Sequence, residues 1–174
     1  MKMNEIETLF LDRMKRVIGK NGLKRECHDY SYFAKISTDD FGLKVNYEID
    51  FEYISEEHLS GHMYIQPQYK VQVYTVDFLF SGNIDGICPS IALEIDGHEW
   101  HEKTKEQAMR DRRRDRNLLL NMLPISTMRF TGSEIYNNAK EPYYDVIDYP
   151  ANFSVAQKLL MLDKETYEEG FING

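Results

Sequence analysis

Apolar residues recur at helical spacing near the start of the chain, from Asn4 to about Ile18. Asn4 can cap this segment, because Glu7 stands three residues later as in a capping box. Gly19 marks its end. The apolar positions are Ile6, Leu9, Phe10, Met14, Val17 and Ile18. The pattern predicts an amphipathic N-terminal helix.

Strict alternation of apolar and polar residues runs from Leu43 to Tyr53 and predicts a half-buried strand. Residues 23–42 mix charged, aromatic and small polar side chains, so we expect irregular structure with at most a short helix there. A further strand with a bend is expected from about Tyr69 to Phe80. Turn residues follow, Ser81-Gly82-Asn83 and Asp85-Gly86.

The second half of the chain alternates strand and helix patterns. A short, mostly apolar strand is predicted from Ile91 to Asp96, a helix from about Lys105 to Met122, and a strand from Ile125 to Phe130. This order predicts a βαβ crossover with parallel neighbours. Residues 136–152 carry two prolines and are interpreted as a loop, and Ser154 is expected to begin a final helix.

The order of these elements predicts one mixed α/β domain over residues 1–174, with helices flanking a central sheet. The 174 residues include 42% hydrophobic and 29% charged residues, as in globular proteins. No apolar run approaches the roughly 18 residues of a membrane span. No signal segment follows Met1, and Cys27 and Cys88 form no CxxC pair. We therefore expect a cytoplasmic protein without a membrane partner.

The formal net charge of -8 argues against a protein that coats DNA by electrostatic attraction alone. It does not argue against an enzyme with a local basic patch, because the field near a site matters more than the total charge.

Carboxylates stand among apolar neighbours in two successive predicted strands. Asp77 lies within Val76-Asp77-Phe78-Leu79-Phe80, and Glu94 and Asp96 flank Ile95. An acid inside an apolar strand is costly unless it is paired or binds a metal. Adjacent strands can bring Asp77 and Glu94 within a few Å, and hard oxygen ligands suit Mg²⁺. A buried Asp also serves as a turn cap or an ion-pair partner, so both interpretations stay open.

Two histidines follow the carboxylates in Gly97-His98-Glu99-Trp100-His101. No further histidine or cysteine follows at a zinc spacing, which argues against a structural zinc site. We expect His98 or His101 to lie near the carboxylates and to act on phosphate as a hydrogen-bond donor or proton carrier. The alternative is a surface loop with Trp100 tucked onto the core.

The predicted helix that follows is locally basic on an acidic protein. On a helical wheel its arginines at 110, 113 and 114 fall opposite Ala108, Leu119 and Met122, so they are expected to face outward and contact phosphates. Arg112 and Asp115 fall on the apolar side and are expected to pair with each other. Candidate nucleic-acid contacts are therefore Lys103, Lys105, Arg110, Arg113 and Arg114.

Glu7 lies close to the apolar stripe of the first helix. It can complete the capping box, or it can act as a third carboxylate that reaches the metal or its water.

With these residues in place, the chain resembles the PD-(D/E)XK nuclease superfamily, and within it the small endonuclease-like domains related to the very short patch repair endonuclease. The resemblance covers residues 69–136 in order and spacing, with a thinner match at Glu7. Its pieces are Ile6-Glu7, Val76-Asp77-Phe78-Leu79, Leu93-Glu94-Ile95-Asp96-Gly97-His98 with His101, Arg110-Asp111, Arg114-Asp115-Arg116, and Arg129-Phe130-Thr131-Gly132-Ser133-Glu134-Ile135.

The resemblance implies a restriction-endonuclease-like fold and a nuclease that hydrolyses phosphodiester bonds of DNA, with RNA not excluded. It implies Mg²⁺, with Mn²⁺ as a substitute, bound by Asp77 and Glu94 with Glu7 nearby. The metal would activate an attacking water. The chain departs from the family at Asp96, where the superfamily has a lysine, and His101 or a nearby lysine is the candidate replacement.

Two other functions compete with the nuclease. The first is a catalytically silent nuclease-fold module that binds nucleic acid or a partner protein, which Asp96 and the net charge of -8 favour. The second is a zinc-stabilised interaction domain that uses His98 and His101.

Overall fold

The computed structural model describes residues 3–51, 58–71, 73–96, 105–120, 125–137 and 140–172, with the backbone alone at residues 105, 107, 108 and 163–172. It is a mixed α/β structure with a seven-stranded sheet and helices on both of its faces. The predicted mixed α/β class is confirmed at this level.

The helices and strands follow one another along the chain in a simple order. They are α1 (Glu5–Ile18), β1 (Leu23–Glu26), β2 (Tyr30–Asp39), β3 (Gly42–Phe51), β4 (His58–Val71), β5 (Tyr74–Ile84), β6 (Ser90–Asp96), α2 (Lys105–Leu119), β7 (Ser126–Thr131), α3 (Gly132–Tyr136) and α4 (Glu141–Ile172).

The strands lie in the sheet in the same order as in the chain, from β1 to β7. The first six pair antiparallel, and β6 and β7 pair parallel through the crossover helix α2. The predicted βαβ unit is confirmed. The alternation that predicted β3 is confirmed too, as is α1 with its Asn4–Glu7 capping box and its end at Gly19.

Three segments differ from the sequence prediction. Residues 23–42 form the strands β1 and β2 rather than irregular structure. The single strand expected from about Tyr69 to Phe80 is two strands, β4 and β5, and β5 continues through Ser81-Gly82-Asn83. Of the two predicted turns only Asp85-Gly86 is one, with positive φ angles of 46° and 82°.

Helix α4 was also predicted wrongly, because it begins at Glu141 and covers most of the expected loop. Pro150 lies inside it and has no N–H to donate to the preceding turn. Packing compensates for this loss: Ala151 is fully buried, as are Val146 and Ile147 one turn earlier. Ser154 is buried within the helix rather than at its start.

A polar cluster on the sheet anchors α4. Asp148 accepts hydrogen bonds from Arg25 Nη2 at 3.0 Å and Nε at 3.3 Å, and from the hydroxyl of Tyr32. The Tyr47 hydroxyl donates to the carbonyl oxygen of Ile147 at 3.0 Å. These contacts fix the helix against β1, β2 and β3.

The two faces of the sheet bury separate apolar clusters. The larger includes residues of α1 and α4, such as Phe10 and Val146, with β-strand residues such as Phe78 and Leu93. The smaller lies under α2, where Leu118 packs with Leu79 and Ala92. Within the described part of the chain, no helix is long and apolar enough to cross a membrane.

Candidate functional site

Asp77 and Glu94 lie on neighbouring strands at the same end of their ladder. The last paired residues there are Phe78 and Leu93, and each carboxylate stands one residue further on. Glu94 belongs to the face that α2 covers, because Ala92, two residues earlier in the strand, packs there and Arg114 of α2 pairs with Glu94. Asp77 is half-buried, and Glu94 is 7% exposed. The structure therefore places the two predicted ligands side by side.

Asp77 is oriented by the backbone of the neighbouring strand. The N–H of Ile95 donates a hydrogen bond to Asp77 Oδ2 at 2.7 Å. Hydrogen bonding to a carboxylate favours its charged form, while burial disfavours it. Burial prevails here and raises the pKa of Asp77, and the charges of Glu7 and Asp96 add to the rise.

Glu94 forms an ion pair with helix α2. Arg114 Nη2 lies 3.2 Å from Glu94 Oε2, and the Arg114 side chain is 20% exposed. The other carboxylate oxygen, Glu94 Oε1, and Arg114 Nε are both buried and have no hydrogen-bond partner in the part of the chain that the structure describes. Each unsatisfied buried polar group costs about 1–3 kcal/mol of stability. The ion pair is therefore incompletely satisfied on both sides.

Burial has a large effect on the ionisation of Glu94. Burial outweighs the lowering effect of Arg114 and Arg129 and, together with the charges of Asp77 and Asp96, raises the pKa of this carboxyl to about 7. Carboxylates that raise one another's pKa are often found where proteins bind cations or perform acid–base chemistry.

Glu7 reaches toward this site from α1, although it also completes the capping box. It is 3% exposed, and its Oε1 accepts hydrogen bonds from Asn4 Nδ2 and Gln68 Nε2, each at 2.8 Å. The capping interpretation of Glu7 is confirmed, and its role as a third carboxylate at a metal stays a prediction. Glu7 caps the helix, and its charge acts on Asp77.

Gln68 lies at the site as well, although the sequence analysis did not select it. The ladder between β4 and β5 pairs Pro67 with Phe78 and Tyr69 with Val76, so Gln68 lies opposite Asp77. Its φ of 51° is unusual for a residue in a strand and interrupts the ladder there. The one local signal is Pro67 directly before it, because a proline inside a strand pattern is typical of a bulge or an edge.

The helical-wheel prediction for α2 was wrong at three positions. Arg114 faces the sheet and binds Glu94 instead of facing outward. Arg112 is exposed instead of lying on the apolar side. Asp115 pairs with Arg129 Nη2 at 2.8 Å instead of with Arg112. Arg110 and Arg113 are exposed as predicted.

Asp96 ends β6 two residues after Glu94 and is half-buried. Alternation along the strand puts it on the same face as Glu94. Its negative charge raises the pKa of both Asp77 and Glu94, an effect opposite to that of a cationic side chain at this position.

Several predicted site residues lie outside the described residues. These are His98, His101 and Lys103, so the histidine and zinc hypotheses stay predictions. Lys105 begins α2, but its side chain is also outside the description.

The described residues contain no group of three or more His, Cys, Asp or Glu side chains that could hold a metal ion. Mg²⁺ does not require such a set, because it commonly binds one or two carboxylates together with water and substrate phosphate. The two neighbouring carboxylates and the unpartnered Glu94 Oε1 are compatible with this kind of site.

The chain matches no protein-family model, no curated protein and no solved structure. The resemblance to the PD-(D/E)XK nuclease superfamily therefore rests on the sequence motifs alone.

Proposed function

We propose that this protein is a Mg²⁺-dependent nuclease with a restriction-endonuclease-like fold that hydrolyses phosphodiester bonds of DNA. The observation that carries the proposal is the adjacent position of Asp77 and the buried Glu94, one of whose oxygens has no hydrogen-bond partner among the described residues. A buried carboxylate without a full set of partners is costly, and a cation at this point would stabilise its charged form.

Asp77 and Glu94 would hold the metal, with Glu7 nearby. When bound, Mg²⁺ would polarise the scissile phosphate and lower the pKa of the attacking water, and Mn²⁺ can substitute. The N–H of Ile95 keeps Asp77 in place, and Gln68 and Asn4 keep Glu7 in place.

The basic helix α2 supports binding of a polyanion. Arg110 and Arg113 are exposed on this helix and can neutralise backbone phosphates. Lys103, Lys105, His98 and His101 extend this proposal on sequence grounds. His101 is the candidate proton carrier at the place where the family lysine is missing.

A silent module that binds nucleic acid or a partner protein is the second candidate. Two observations favour it: Arg114 already occupies one oxygen of Glu94, and Asp96 stands where the family has a cation. A module of this kind would bind without cutting.

Cleavage assays separate the two candidates. Supercoiled plasmid and single-stranded, duplex and branched oligonucleotides are incubated with Mg²⁺ or Mn²⁺. The proteins compared are wild type, Asp77→Asn, Glu94→Gln and the control Glu48→Gln, which alters an exposed carboxylate on β3. We expect cleavage by wild type and Glu48→Gln only. Binding without cleavage by folded wild type under either metal would contradict the nuclease proposal and support the silent module.

A further inference from the structure

Two arginines, Arg114 and Arg129, act electrostatically on Glu94, and they are held differently. Arg129 Nη2 is bound to Asp115 at 2.8 Å. Arg114 Nη2 is bound to Glu94 itself, the proposed metal ligand. A cation that binds Glu94 therefore competes with Arg114 rather than with Arg129.

The ion pair leaves one atom of each sign without a partner. Among the described residues, Glu94 Oε1 is a buried acceptor without a donor, and Arg114 Nε is a buried donor without an acceptor. A ligand that brings a cation to the first and an anion to the second would satisfy both. A phosphate group with a bound divalent metal carries these two charges together.

We propose that Arg114 binds the phosphate group at which the nucleic acid is cut, and that its ion pair with Glu94 is the arrangement before metal and phosphate enter. This inference rests on the proposed nuclease function. It assigns Arg114 to the reacting phosphate rather than to the outer backbone contacts, which Arg110 and Arg113 provide.

The chemistry of the guanidinium group suits this role. Its planar fork can give two parallel hydrogen bonds to phosphate oxygens, and it stays charged at every relevant pH. When Arg114 turns to phosphate, both oxygens of Glu94 become available to the metal. Metal binding and phosphate binding thereby favour each other.

The test compares Arg114→Gln with Arg113→Gln. Arg113 is the adjacent exposed arginine on the same helix, so the control removes the same charge without touching the ion pair. Arg114→Lys is added because it keeps a cation beside Glu94 and so protects the fold. Thermal melting verifies that each protein is folded.

The first measurement is Mn²⁺ binding without nucleic acid. We expect Arg114→Gln to bind Mn²⁺ at least about threefold more tightly than wild type, because a competing cation has been removed from Glu94. Arg113→Gln and Arg114→Lys should resemble wild type.

The second measurement is the affinity for fluorescent oligonucleotides with and without Ca²⁺, which replaces Mg²⁺. We expect the gain in affinity that Ca²⁺ gives wild type to be retained in Arg113→Gln and to be lost in Arg114→Gln. Arg114→Lys should lose part of it, because a lysine lacks the planar fork.

The third measurement is the cleavage rate at saturating oligonucleotide with Mg²⁺. We expect Arg114→Gln to lower kcat about 100-fold, as does removal of one stabilising donor in other hydrolases, while Arg113→Gln changes mainly KM.

Equal Mn²⁺ affinity and an equal Ca²⁺-dependent gain in Arg114→Gln and Arg113→Gln would overturn the proposal, whether or not wild type cuts. If Arg114→Gln does not fold, an undiminished gain in Arg114→Lys overturns it. If wild type cuts nothing but the first two measurements follow expectation, the nuclease function fails while Arg114 remains a phosphate-binding residue.

Discussion

Gln68 Nε2 donates a hydrogen bond to Glu7 Oε1 at 2.8 Å and thereby joins strand β4 to helix α1 across 61 positions of the sequence. The backbone of Gln68 has a positive φ of 51° directly opposite Asp77. Gln68 thus combines a positive φ with a side-chain hydrogen bond beside the proposed metal site. Substitutions can separate the effect of the backbone conformation from that of the hydrogen bond.

Replacement of Gln68 by alanine or by glycine should lower the Mn²⁺ affinity equally but should change the free energy of unfolding by different amounts. Both substitutions remove the amide that orients Glu7, so we expect both to weaken Mn²⁺ binding severalfold. Glycine tolerates positive φ, so Gln68→Gly should be more stable than Gln68→Ala by about 1 kcal/mol. Titration with Mn²⁺ and urea denaturation measure the two quantities.

The control for this pair is Gln66→Ala, two residues earlier on the same strand. It should leave Mn²⁺ affinity unchanged. If Gln68→Ala binds Mn²⁺ as tightly as Gln66→Ala does, then Gln68 does not support the site through Glu7.

The raised pKa of Glu94 predicts how stability depends on pH when metal is removed with a chelator. The folded protein holds the Glu94 proton up to a pKa of about 7, against 4.5 ordinarily. The folded state therefore binds more protons in this range, and the contribution of Glu94, complete below pH 4.5, is lost as the pH rises to 7.

We expect wild type to lose stability relative to Glu94→Gln between pH 4.5 and 7, with a slope of at most about 1.4 kcal/mol per pH unit for this one group. Urea denaturation of the two proteins at half-unit pH intervals measures the slope. Parallel curves for the two proteins would show that Glu94 ionises normally.

Asp148 should contribute to the stability of the fold and not to metal binding or catalysis. It accepts hydrogen bonds from Arg25 and Tyr32 and so holds α4 on the sheet. Asp148→Asn replaces a charged acceptor and leaves the half-buried Arg25 without its ion pair, so we expect a loss of about 1–3 kcal/mol in the free energy of unfolding.

The matched control is Asp29→Asn, an exposed aspartate that pairs with the exposed His28. Its effect on stability should be small, because exposed pairs contribute little. Both variants should keep the cleavage rate and Mn²⁺ affinity of wild type at a temperature where they are folded. A selective loss of Mn²⁺ affinity in Asp148→Asn would place Asp148 in the site's machinery.

The parts of the fold that the sequence predicted have strong local signals. Helix α1 has a capping box and an apolar stripe, and β3 has strict alternation. Strand β2 also buries alternate residues, Tyr30, Tyr32 and Ala34, but charged and small polar neighbours obscured the pattern. Helix α4 continues through Pro150 because long-range packing outweighs a local helix breaker.

The two carboxylates of the candidate site were predictable because acids in apolar strands are rare. The orientation of α2 was not predictable, because the helix has too few apolar residues to show which of its sides faces the sheet. The prediction relied on Leu119, which is 51% exposed, whereas the buried residue is Leu118. Because Leu118 rather than Leu119 faces the sheet, the helix is rotated by one residue from the predicted orientation, and Arg114 also faces the sheet. Gln68 was missed because Pro67 before it signals only an irregular strand, whereas the contact with Glu7 depends on the docking of α1.

The sheet has a further consequence for how the molecule assembles, because its strand order is the chain order. Every strand from β1 to β6 pairs with its neighbour in sequence. Most of the sheet therefore forms by closing short loops, and contacts between residues close in sequence form quickly. Asp77 and Glu94 meet across one of these local hairpins. Glu7 depends on a contact that spans 61 positions. We therefore expect Asp77 and Glu94 to come together early, by local folding, and Glu7 to reach them later, when α1 docks.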